Sequence, residues 1–260
     1  MLEGRTALIT GSTQGLGLAA AERFAQAGCS VVLNGFGAPA QIEATRRQLE
    51  ERWGVRAVHI AADLRHSAEI EIMIARAVDT FGTIDILVNN AVVRHAAGVA
   101  EFPATEWDAA LAVNLSAAFH TIRLAVPLMR NRHWGRIINV SSIYGLRGAV
   151  NRVGYVTTKT ALIGLTRAVA LETAEQNITC NAVCPGTTRT PIHEAALQGM
   201  IDADDLSLPD AERKLLVGKQ PTARLIAPES VAALMVWLCG PGSADITGAV
   251  LPVDGGWTAG

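Results

Sequence analysis

Two residues near the middle of the chain, Tyr155 and Lys159, have the types and the spacing of an acid/base pair. On a helix, side chains four residues apart lie on one face, about one turn from each other. A phenol ordinarily releases its proton at about pH 10, and a positive charge a few ångströms away favours the phenolate. Tyr155 is therefore a candidate proton donor and acceptor at neutral pH.

A glycine-rich segment far upstream indicates what this proton transfer would be coupled to. Thr10–Gly17 stands where the first predicted strand gives way to the first predicted helix. Gly11 permits a tight turn, Gly15 lets the backbone approach a pyrophosphate, and Gly17 lets the helix pack on the strand. The helix N-terminus then offers free N–H groups to phosphates. A plain glycine turn would not explain three glycines at this spacing, so we predict a dinucleotide site and hydride transfer.

Short β-rich stretches alternate with helical stretches along the whole chain. Strands such as Ile84–Asn89 are apolar without clean alternation, as expected when helices cover both faces of a parallel sheet. Seven strands with helical crossovers predict one α/β domain over residues 1–260, with a Rossmann-type, doubly wound parallel sheet. Residues 187–224 have weak periodicity, and a segment of this length in a compact domain is typically a substrate lid. The predicted strands are Thr6–Thr10, Ser30–Leu33, Arg56–Ile60, Ile84–Asn89, Arg136–Ser141, Ile178–Cys184 and Val250–Val253. The predicted helices are Gly15–Ala27, Pro39–Trp53, Ser67–Phe81, Pro103–Arg132, Gly154–Glu175 and Pro228–Leu238.

Composition and charge exclude several classes of function. Half of the 260 residues are hydrophobic and 18% are charged, which is typical of a folded globular protein. A net charge of −2 provides no basic surface for nucleic acid or an anionic membrane. We recognise no leader and no apolar run of membrane-spanning length, and we expect the four cysteines to be reduced and packed, which predicts a cytoplasmic protein. No set of His, Cys, Asp and Glu has metal-ligand spacing, so no catalytic metal is expected.

The end of the second predicted strand favours NAD over NADP. A 2′-phosphate calls for arginine or lysine there or in the glycine loop. The side chains present supply none: Ser12, Thr13, Gln14, Asn34 and Phe36. The acidic residue that usually binds the ribose diol is also missing, so the preference for NAD rests only on the absence of arginine and lysine. Asp63 and Leu64 are placed to meet the adenine ring; alternatively, Asp63 caps the next helix.

Together these motifs resemble the short-chain dehydrogenase/reductase family, and the likeness covers essentially the whole chain. The matching pieces are Thr10–Gly17, Asn89–Ala91, Asn114, Ser142, Tyr155 with Lys159, Pro185–Gly186 and Val253–Gly256. The resemblance implies that Tyr155 is the acid/base, that Ser142 holds the substrate oxygen, and that Lys159 bonds the nicotinamide ribose. It also implies that Asn114 holds a water that connects Lys159 to solvent. The residues implied to contact the cofactor are Gly11, Thr13, Gly15, Leu16, Gly17, Phe36, Asp63, Leu64, Asn90, Tyr155, Lys159, Pro185, Gly186, Thr188 and Thr190.

Three positions near these motifs allow other readings. Taken alone, Ser142 could be a strand-end cap, and Asn114 a helix-interior polar residue satisfied by backbone. Val92 stands where the family motif Asn-Asn-Ala-Gly has its glycine. A valine adds bulk close to the cofactor and disfavours positive φ. We expect it to shift the loop without abolishing binding.

The substrate pocket departs further from the family members that this chain resembles most, which are bacterial enzymes that oxidise 3-hydroxybutyrate with NAD. Arg94, Tyr144 and Arg152 stand where those enzymes have a glutamine, a histidine and a lysine. Thr187 and Ala196 replace a tryptophan and a second glutamine. The residues expected to contact substrate are Arg94, Ser142, Tyr144, Arg152, Tyr155, Thr187 and the retained Trp257.

These replacements predict an anionic hydroxy substrate that is bulkier than 3-hydroxybutyrate or differently charged. Arginine suits bidentate recognition of a carboxylate, sulfonate or phosphonate, and the smaller Thr187 and Ala196 leave more room. Alternatively, Arg94 and Arg152 point to solvent or pair with acidic residues across a subunit contact. Nearby His95 is expected to be a polar surface residue rather than a catalyst, as is His193.

The sequence therefore predicts an NAD(H)-dependent oxidoreductase that interconverts a secondary alcohol and a ketone on a small anionic molecule. The family resemblance implies a homotetramer formed through the two longest helices and the last strand. One alternative is a reductase of neutral or cyclic ketones or of 3-ketoacyl groups. A more distant alternative is a dinucleotide-binding regulator, which would typically have lost one of the four catalytic residues.

Overall fold

A single sheet of parallel strands organises the chain. The computed structural model describes residues 2–260, and within them seven strands pair in the order β3-β2-β1-β4-β5-β6-β7. The order reverses between β1 and β4, so their carboxyl ends border the crevice in which such sheets bind ligands. The predicted doubly wound, seven-stranded fold is confirmed. The strands are β1 (Thr6–Ile9), β2 (Ser30–Leu33), β3 (Ala57–His59), β4 (Ile86–Asn89), β5 (Gly135–Val140), β6 (Ile178–Pro185) and β7 (Val250–Val253).

Helices cover both faces of the sheet, which explains why the central strands are apolar without alternation. Every residue of β1, β4, β5 and β6 is buried. One face packs against Phe24 and Met235, and the other against Met73 and Met129. The helices are α1 (Gly15–Gln26), α2 (Pro39–Trp53), α3 (Ser67–Phe81), α4 (Ala104–Leu111), α5 (Ala117–Asn131), α6 (Val153–Thr173), α7 (Pro191–Asp204), α8 (Leu208–Leu216) and α9 (Pro228–Trp237).

The helix predicted for Pro103–Arg132 contains an irregular turn. Helices α4 and α5 are joined by a π-helical turn, Ala112–Ser116, whose closing N–H of Ala117 donates to the carbonyl of Ala112. Asn114 lies inside this turn and is buried. Such turns interrupt long helices most often at functional sites.

The segment 187–224, for which the sequence suggested no helix, contains α7 and α8. The two helices enclose a small core of their own, made of Leu197, Ala211, Leu216 and Leu225. This core is separate from the two main clusters, and the segment that supplies most of it follows β6 along the chain.

The stretch Ala104–Asn131 is long and apolar enough to cross a membrane by length and composition alone. The prediction that no apolar run reaches this length does not hold for Ala104–Asn131, which polar residues such as Asn114 and Arg123 interrupt. One side of α5 packs on the sheet through Ile122, Ala125 and Met129, and a core helix has the same composition. Phe119, on the same helix, is exposed.

Candidate active site

The glycine turn between β1 and α1 has the shape expected of a phosphate cradle. Gly11 and Gly15 adopt φ values of +62° and +56°, in the left-handed region that favours glycine. A Cβ on Gly11 would stand 2.8 Å from Ala91 Cα, and one on Gly17 would stand 2.5 Å from the side-chain nitrogen of Asn90. The turn therefore leaves bare backbone N–H groups at the start of α1, where an anion is favoured. These residues fit the pyrophosphate of a dinucleotide.

Asn90 fastens the loop after β4 to this turn. Its Nδ2 donates to the carbonyls of Thr10 (2.9 Å) and Gly11 (3.0 Å), and its backbone N–H donates to Thr10 Oγ1 (2.9 Å). Val92, two residues on, is not among the non-glycine residues with positive φ. The valine therefore takes the place of the family glycine without backbone strain.

Asn34 is a structural residue of the site that the sequence analysis did not single out. It is buried, and its Nδ2 donates to the carbonyls of Ile60 (3.2 Å) and Ala62 (3.4 Å). Its backbone N–H donates to Ser12 Oγ at 3.0 Å, and its carbonyl accepts from the N–H of Ser12 at 2.7 Å. The side chain thus ties the ends of β2 and β3 to the glycine turn rather than facing a ribose.

The expected adenosine end of the cleft is open at Phe36. Its side chain is 68% exposed, and its carbonyl accepts from Thr13 Oγ1 at 2.9 Å. Asp63 is held by Arg65, whose guanidinium binds both carboxylate oxygens. This hydrogen bonding by Arg65 lowers the pKa of Asp63 to about 2. Helix α3 has no side-chain cap, so the alternative that Asp63 caps it does not hold.

Tyr155 and Lys159 lie one turn apart on α6, and both are buried. The Nζ of Lys159 donates to the carbonyl of Val140 at 2.7 Å and lies 5.7 Å from the centre of the Tyr155 ring. Burial lowers the pKa of Lys159 to about 7, and the nearby charge of Arg94 acts in the same direction. A lysine in this state carries a charge that responds strongly to its surroundings.

Ser142 lies two residues after the end of β5 and is the N-cap of a short 3₁₀ turn, Ile143–Gly145. Its Oγ accepts a hydrogen bond from the N–H of Tyr144 at 3.1 Å, so the strand-end cap considered from sequence is present. A hydroxyl that accepts in this way keeps its own proton to donate. Capping and substrate binding are therefore compatible at Ser142.

Asn114 clamps the loop that carries Arg94. Its Oδ1 accepts from the N–H of Val93 at 2.8 Å, and its Nδ2 donates to the carbonyl of Val93 at 3.0 Å and to Thr158 Oγ1 at 3.3 Å. A cavity of about 10 Å³, roughly the size of one water, is lined by Asn114 together with Lys159 and Leu64. Backbone groups do satisfy Asn114, but they belong to the β4–α4 loop rather than to its own helix.

Arg94 lies beside the candidate acid/base. Its guanidinium carbon lies 5.2 Å from the centre of the Tyr155 ring. Among residues 2–260, neither Arg94 nor Arg152 forms an ion pair with a carboxylate. Arg152 precedes α6 as its N-terminal flanking residue and is half-buried. Arg94 is exposed, so the alternatives that these arginines point to solvent or pair with acidic residues across a subunit contact stay open.

Aromatic side chains form a second wall. The rings of Tyr144 and Trp257 meet edge to face with centres 5.6 Å apart, and those of Tyr144 and Tyr155 are 6.4 Å apart. Arg147 donates to the carbonyl of Trp257 at 2.8 Å and so holds the C-terminal turn near this wall. Sequence reasoning missed Arg147 because its partner is more than a hundred residues away.

The segment after β6 crosses the mouth of the glycine turn. A Cβ on Gly15 would come to 3.6 Å from Thr190 Cγ2, and Thr188 Oγ1 donates to the carbonyl of Gly186 at 3.2 Å. The Nδ1 of His193 lies 2.8 Å from the carbonyl of Thr188. The pKa of this histidine is lowered by burial, with the charges of Arg94 and Lys219 contributing.

Two other predictions concern residues outside this centre. His95 packs edge to face on Phe102 and lies 3.7 Å from Glu106, as expected of a polar surface residue. Among the residues that the structure describes, no group of three or more His, Cys, Asp and Glu could hold a metal ion. The absence of a catalytic metal stays a prediction.

The comparisons with known proteins agree with this geometry. A family profile described as short chain dehydrogenase matches residues 5–200. D-beta-hydroxybutyrate dehydrogenase from Cupriavidus necator is 41% identical over 259 residues and covers 100% of both chains. The protein of the same name from Rhizobium meliloti is 42% identical over 255 residues, 98% of this chain and 99% of the relative. The chain belongs to the short-chain dehydrogenase/reductase family.

The family membership has direct consequences for function. The enzyme is an oxidoreductase of the CH–OH group that uses a nicotinamide dinucleotide and a small-molecule substrate. The predicted likeness to enzymes of 3-hydroxybutyrate is confirmed. Among solved structures, the L-sorbose reductase of Gluconobacter frateurii in complex with NADPH and L-sorbose has a TM-score of 0.93 and 30% identity, covering 98% of this chain and 97% of that one. Because that relative binds NADPH, the likeness does not decide between NAD and NADP.

Proposed function

We propose that the enzyme interconverts a small anionic hydroxy acid and the corresponding keto acid with NAD(H). The proposed substrates are 3-hydroxybutyrate-like acids or sulfonate and phosphonate analogues. The observation that carries this proposal is the guanidinium of Arg94, which lies 5.2 Å from the Tyr155 ring and pairs with no carboxylate in the described chain. An unpaired arginine beside the reacting group suits a substrate anion.

The proposed mechanism assigns proton transfer to Tyr155. A bound nicotinamide dinucleotide supplies the acceptor for the hydride of the alcohol carbon, and its reduced form supplies the hydride in the reverse direction. During oxidation, Tyr155 accepts the hydroxyl proton as the carbon–oxygen double bond forms; during reduction, it returns that proton to the oxygen. Ser142 donates its hydroxyl proton to the same oxygen and holds it beside Tyr155.

Lys159 and Asn114 are proposed to assist this proton transfer. The ammonium of Lys159 favours the phenolate of Tyr155 and would bond the ribose of the cofactor when that replaces its bond to Val140. Asn114 holds the backbone of Val93 and lines the water-sized cavity next to Lys159. We propose that a water there relays protons between Lys159 and solvent.

The substrate would lie between Arg94 and the aromatic wall of Tyr144 and Trp257. Arg152 would make a second contact with the anion from the start of α6. Thr187 is small and buried, and Ala196 is exposed on α7. Both are smaller than the groups they replace in the resembling enzymes, which favours a substrate larger than 3-hydroxybutyrate.

NAD is the proposed cofactor. The exposed Phe36 and the hydroxyl of Thr13 occupy the region where a 2′-phosphate would lie, and neither provides a positive charge. The residues proposed to bind the cofactor are Gly11, Thr13, Gly15, Leu16, Gly17, Phe36, Asp63, Leu64, Asn90, Tyr155, Lys159, Pro185, Gly186, Thr188 and Thr190. Arg65 neutralises Asp63 in this structure, so an adenine contact by Asp63 requires Arg65 to share the carboxylate.

Three further properties belong to the same proposal. Residues 187–224 form the substrate lid, supported by their separate core and by the contact of Thr190 with the glycine turn. The enzyme assembles as a homotetramer, supported by exposed apolar residues on the two longest helices, such as Phe119 and Leu171. Its four buried, unbridged cysteines suit the reducing cytoplasm.

The experiment that tests the proposed function is a substrate panel with NADH and NADPH in parallel. The panel contains acetoacetate, longer 3-keto acids, ketones that carry sulfonate or phosphonate, and matched neutral ketones. We expect NADH oxidation with one or more anionic members and less with their neutral counterparts. Preference for neutral ketones would overturn the substrate class, and preference for NADPH would overturn the cofactor.

A further inference from the structure

A buried glutamine, Gln220, joins the two ends of the segment 187–224. It is 3% exposed and lies in the loop between α8 and α9. Its Oε1 accepts from the backbone N–H of Thr187, and its Nε2 donates to the carbonyl of Arg224 at 2.8 Å. One amide group therefore contacts the first and the last parts of the segment.

Backbone pairing at the same place shows that these two ends form a neck. The N–H of Ile226 donates to the carbonyl of Thr187 at 3.0 Å, and the N–H of Arg189 donates to the carbonyl of Ile226 at 2.8 Å. Arg189 also pairs with the buried Glu212 of α8. In the neck, the two chain segments at residues 187–189 and 224–226 therefore run side by side. Two backbone hydrogen bonds join them directly, and the side-chain amide of Gln220 bridges them.

The neck contacts the Pro185–Thr187 backbone, here called the cofactor wall, and the C-terminal turn that contains Trp257. A Cβ on Gly186 would come to 2.7 Å from Gln220 Oε1 and 3.1 Å from Asp254 Cα, so Gln220 fills the space beside the cofactor wall. The N–H of Thr222 donates to the carbonyl of Gly255 at 3.3 Å. Gly255 lies in the turn that also contains Trp257, whose ring packs on Tyr144.

We infer that Gln220 is a positioning residue that makes the lid and the cofactor wall move together. By holding Thr187 and Arg224 with one amide, it transmits a displacement of α7 and α8 to the Pro185–Thr187 backbone. Without the hydrogen bonds of Gln220, α7 and α8 could move while the Pro185–Thr187 backbone keeps its position. The inference rests on the proposed function only in taking Tyr155 as the centre of the chemistry.

A glutamine is required because the neck needs an acceptor and a donor on one side chain. An ionised glutamate could accept from Thr187 but could not donate to Arg224, and it would face that carbonyl with a lone pair. A protonated glutamate restores both bonds. Burial favours the protonated form, while Lys219 and Arg224 favour the ionised form and Asp254 opposes it. The variant Gln220→Glu should therefore regain the native neck as the pH falls.

The test compares Gln220→Leu, Gln220→Glu and a matched control, Gln198→Leu. Gln198 is an exposed glutamine on α7 whose Nε2 donates only to Asp202, so it shares the segment but not the neck. Two readouts are made on the cofactor-free protein and on the working enzyme. The first is amide hydrogen exchange of residues 187–189 and 224–226, and the second is kcat and KM between pH 5.5 and 8.5.

We expect Gln220→Leu to raise the exchange rates of these amides and to lower kcat/KM by about tenfold while the rest of the sheet stays protected. Gln220→Glu should resemble it at pH 8.5 and approach the wild type at pH 5.5. The inference is overturned if a folded Gln220→Leu enzyme keeps wild-type exchange and kinetics. It is equally overturned if Gln220→Leu raises exchange throughout the sheet as much as in the neck, because the effect is then a global loss of stability. If the wild type itself turns over no substrate, the proposed function fails, whereas the exchange data still decide the role of Gln220 in the neck.

Discussion

The guanidinium of Arg94 lies 5.2 Å from the centre of the Tyr155 ring. This position puts a permanent positive charge beside the group that is proposed to exchange the substrate proton. The same charge contributes to the low pKa of Lys159. One residue on the β4–α4 loop thus affects the acid/base, its lysine partner and the expected substrate anion.

Replacing Tyr155 by phenylalanine should remove the chemical step and leave the fold intact. The phenol oxygen is the proposed route of the proton, and loss of a positioned acid/base group lowers turnover by roughly 10²–10⁴-fold. The dissociation constant of NADH, measured by fluorescence titration, should stay close to that of the wild type. Substantial turnover by Tyr155→Phe would refute the mechanism. Tyr144→Phe, which keeps the ring of the substrate wall and removes a phenol that has no lysine one turn away, should keep the chemical step even where KM changes.

Replacing Phe36 by arginine should increase the use of NADPH. The side chain is 68% exposed, so a charged residue is accommodated without disturbing the core. An arginine there can bind a 2′-phosphate, and we expect kcat/KM for NADPH to rise by about tenfold relative to that for NADH. Phe36→Gln, which changes polarity without adding charge, should leave the cofactor ratio unchanged. If the wild type already prefers NADPH, the assignment of NAD is wrong.

Lys159 should make the stability of the wild type depend on pH. Its pKa is about 7 in the folded protein, below its ordinary value of 10.5. Between these values the unfolded chain binds a proton that the folded chain lacks, so the free energy of unfolding rises with pH in that interval, by at most about 1.4 kcal/mol per pH unit. Below pH 7 this contribution to the slope vanishes, since both states are protonated.

The variant Lys159→Met lacks this dependence. Its free energy of unfolding, minus that of the wild type, should be most positive at pH 6–7 and should decline toward pH 10. Loss of the hydrogen bond to Val140 changes the free energy of unfolding by the same amount at every pH, so it does not alter the slope. Urea unfolding at pH 6, 7, 8 and 9 measures the difference, with the exposed Lys214 replaced by methionine as the control. Parallel curves for Lys159→Met and the wild type would show that burial does not lower the pKa of Lys159.

Restoring the family glycine with Val92→Gly should not improve the enzyme. Val92 already has negative φ, so a glycine relieves no strain and adds freedom to the unfolded chain. We expect the free energy of unfolding to fall by about 0.5–1 kcal/mol and the affinity for NADH to stay the same. A clear gain in NADH affinity would mean that the valine does obstruct the loop.

The sheet and most of its helices could be predicted because their signals are local. Buried strands such as β4 are continuous apolar runs, and glycines with positive φ occur where the first turn requires them. Helices α7 and α8 were not predicted, because their apolar residues pack mainly on each other and leave weak periodicity. The π-helical turn at Asn114 was not predicted either, since it depends on a shift of backbone pairing that the sequence does not reveal.

Candidate catalytic residues could be named from type and spacing, whereas the residues that position them could not. Asn34, Arg147 and Gln220 each act through at least one partner that is twenty-two or more residues away in sequence, such as Ser12 for Asn34 and Thr187 for Gln220. Asn34 was noticed only as a residue without charge. Arg94 was predicted through the family resemblance. Its position beside Tyr155 could not be predicted, because it depends on the β4–α4 loop, which Asn114 holds through Val93.

The most direct test of the central claim is the ratio of kcat/KM for acetoacetate to kcat/KM for its neutral methyl ester, measured with NADH for the wild type and Arg94→Gln. Should acetoacetate be too small for the pocket, the best keto acid of the substrate panel replaces it with its own ester. Charge-assisted hydrogen bonds predict a wild-type ratio of at least about ten, and Arg94→Gln should bring it near one through a higher KM for the acid. The exposed Arg52 replaced by glutamine should leave the ratio unchanged. A wild-type ratio near one, or a ratio that Arg94→Gln does not alter, would contradict the account of an anionic substrate held beside Tyr155.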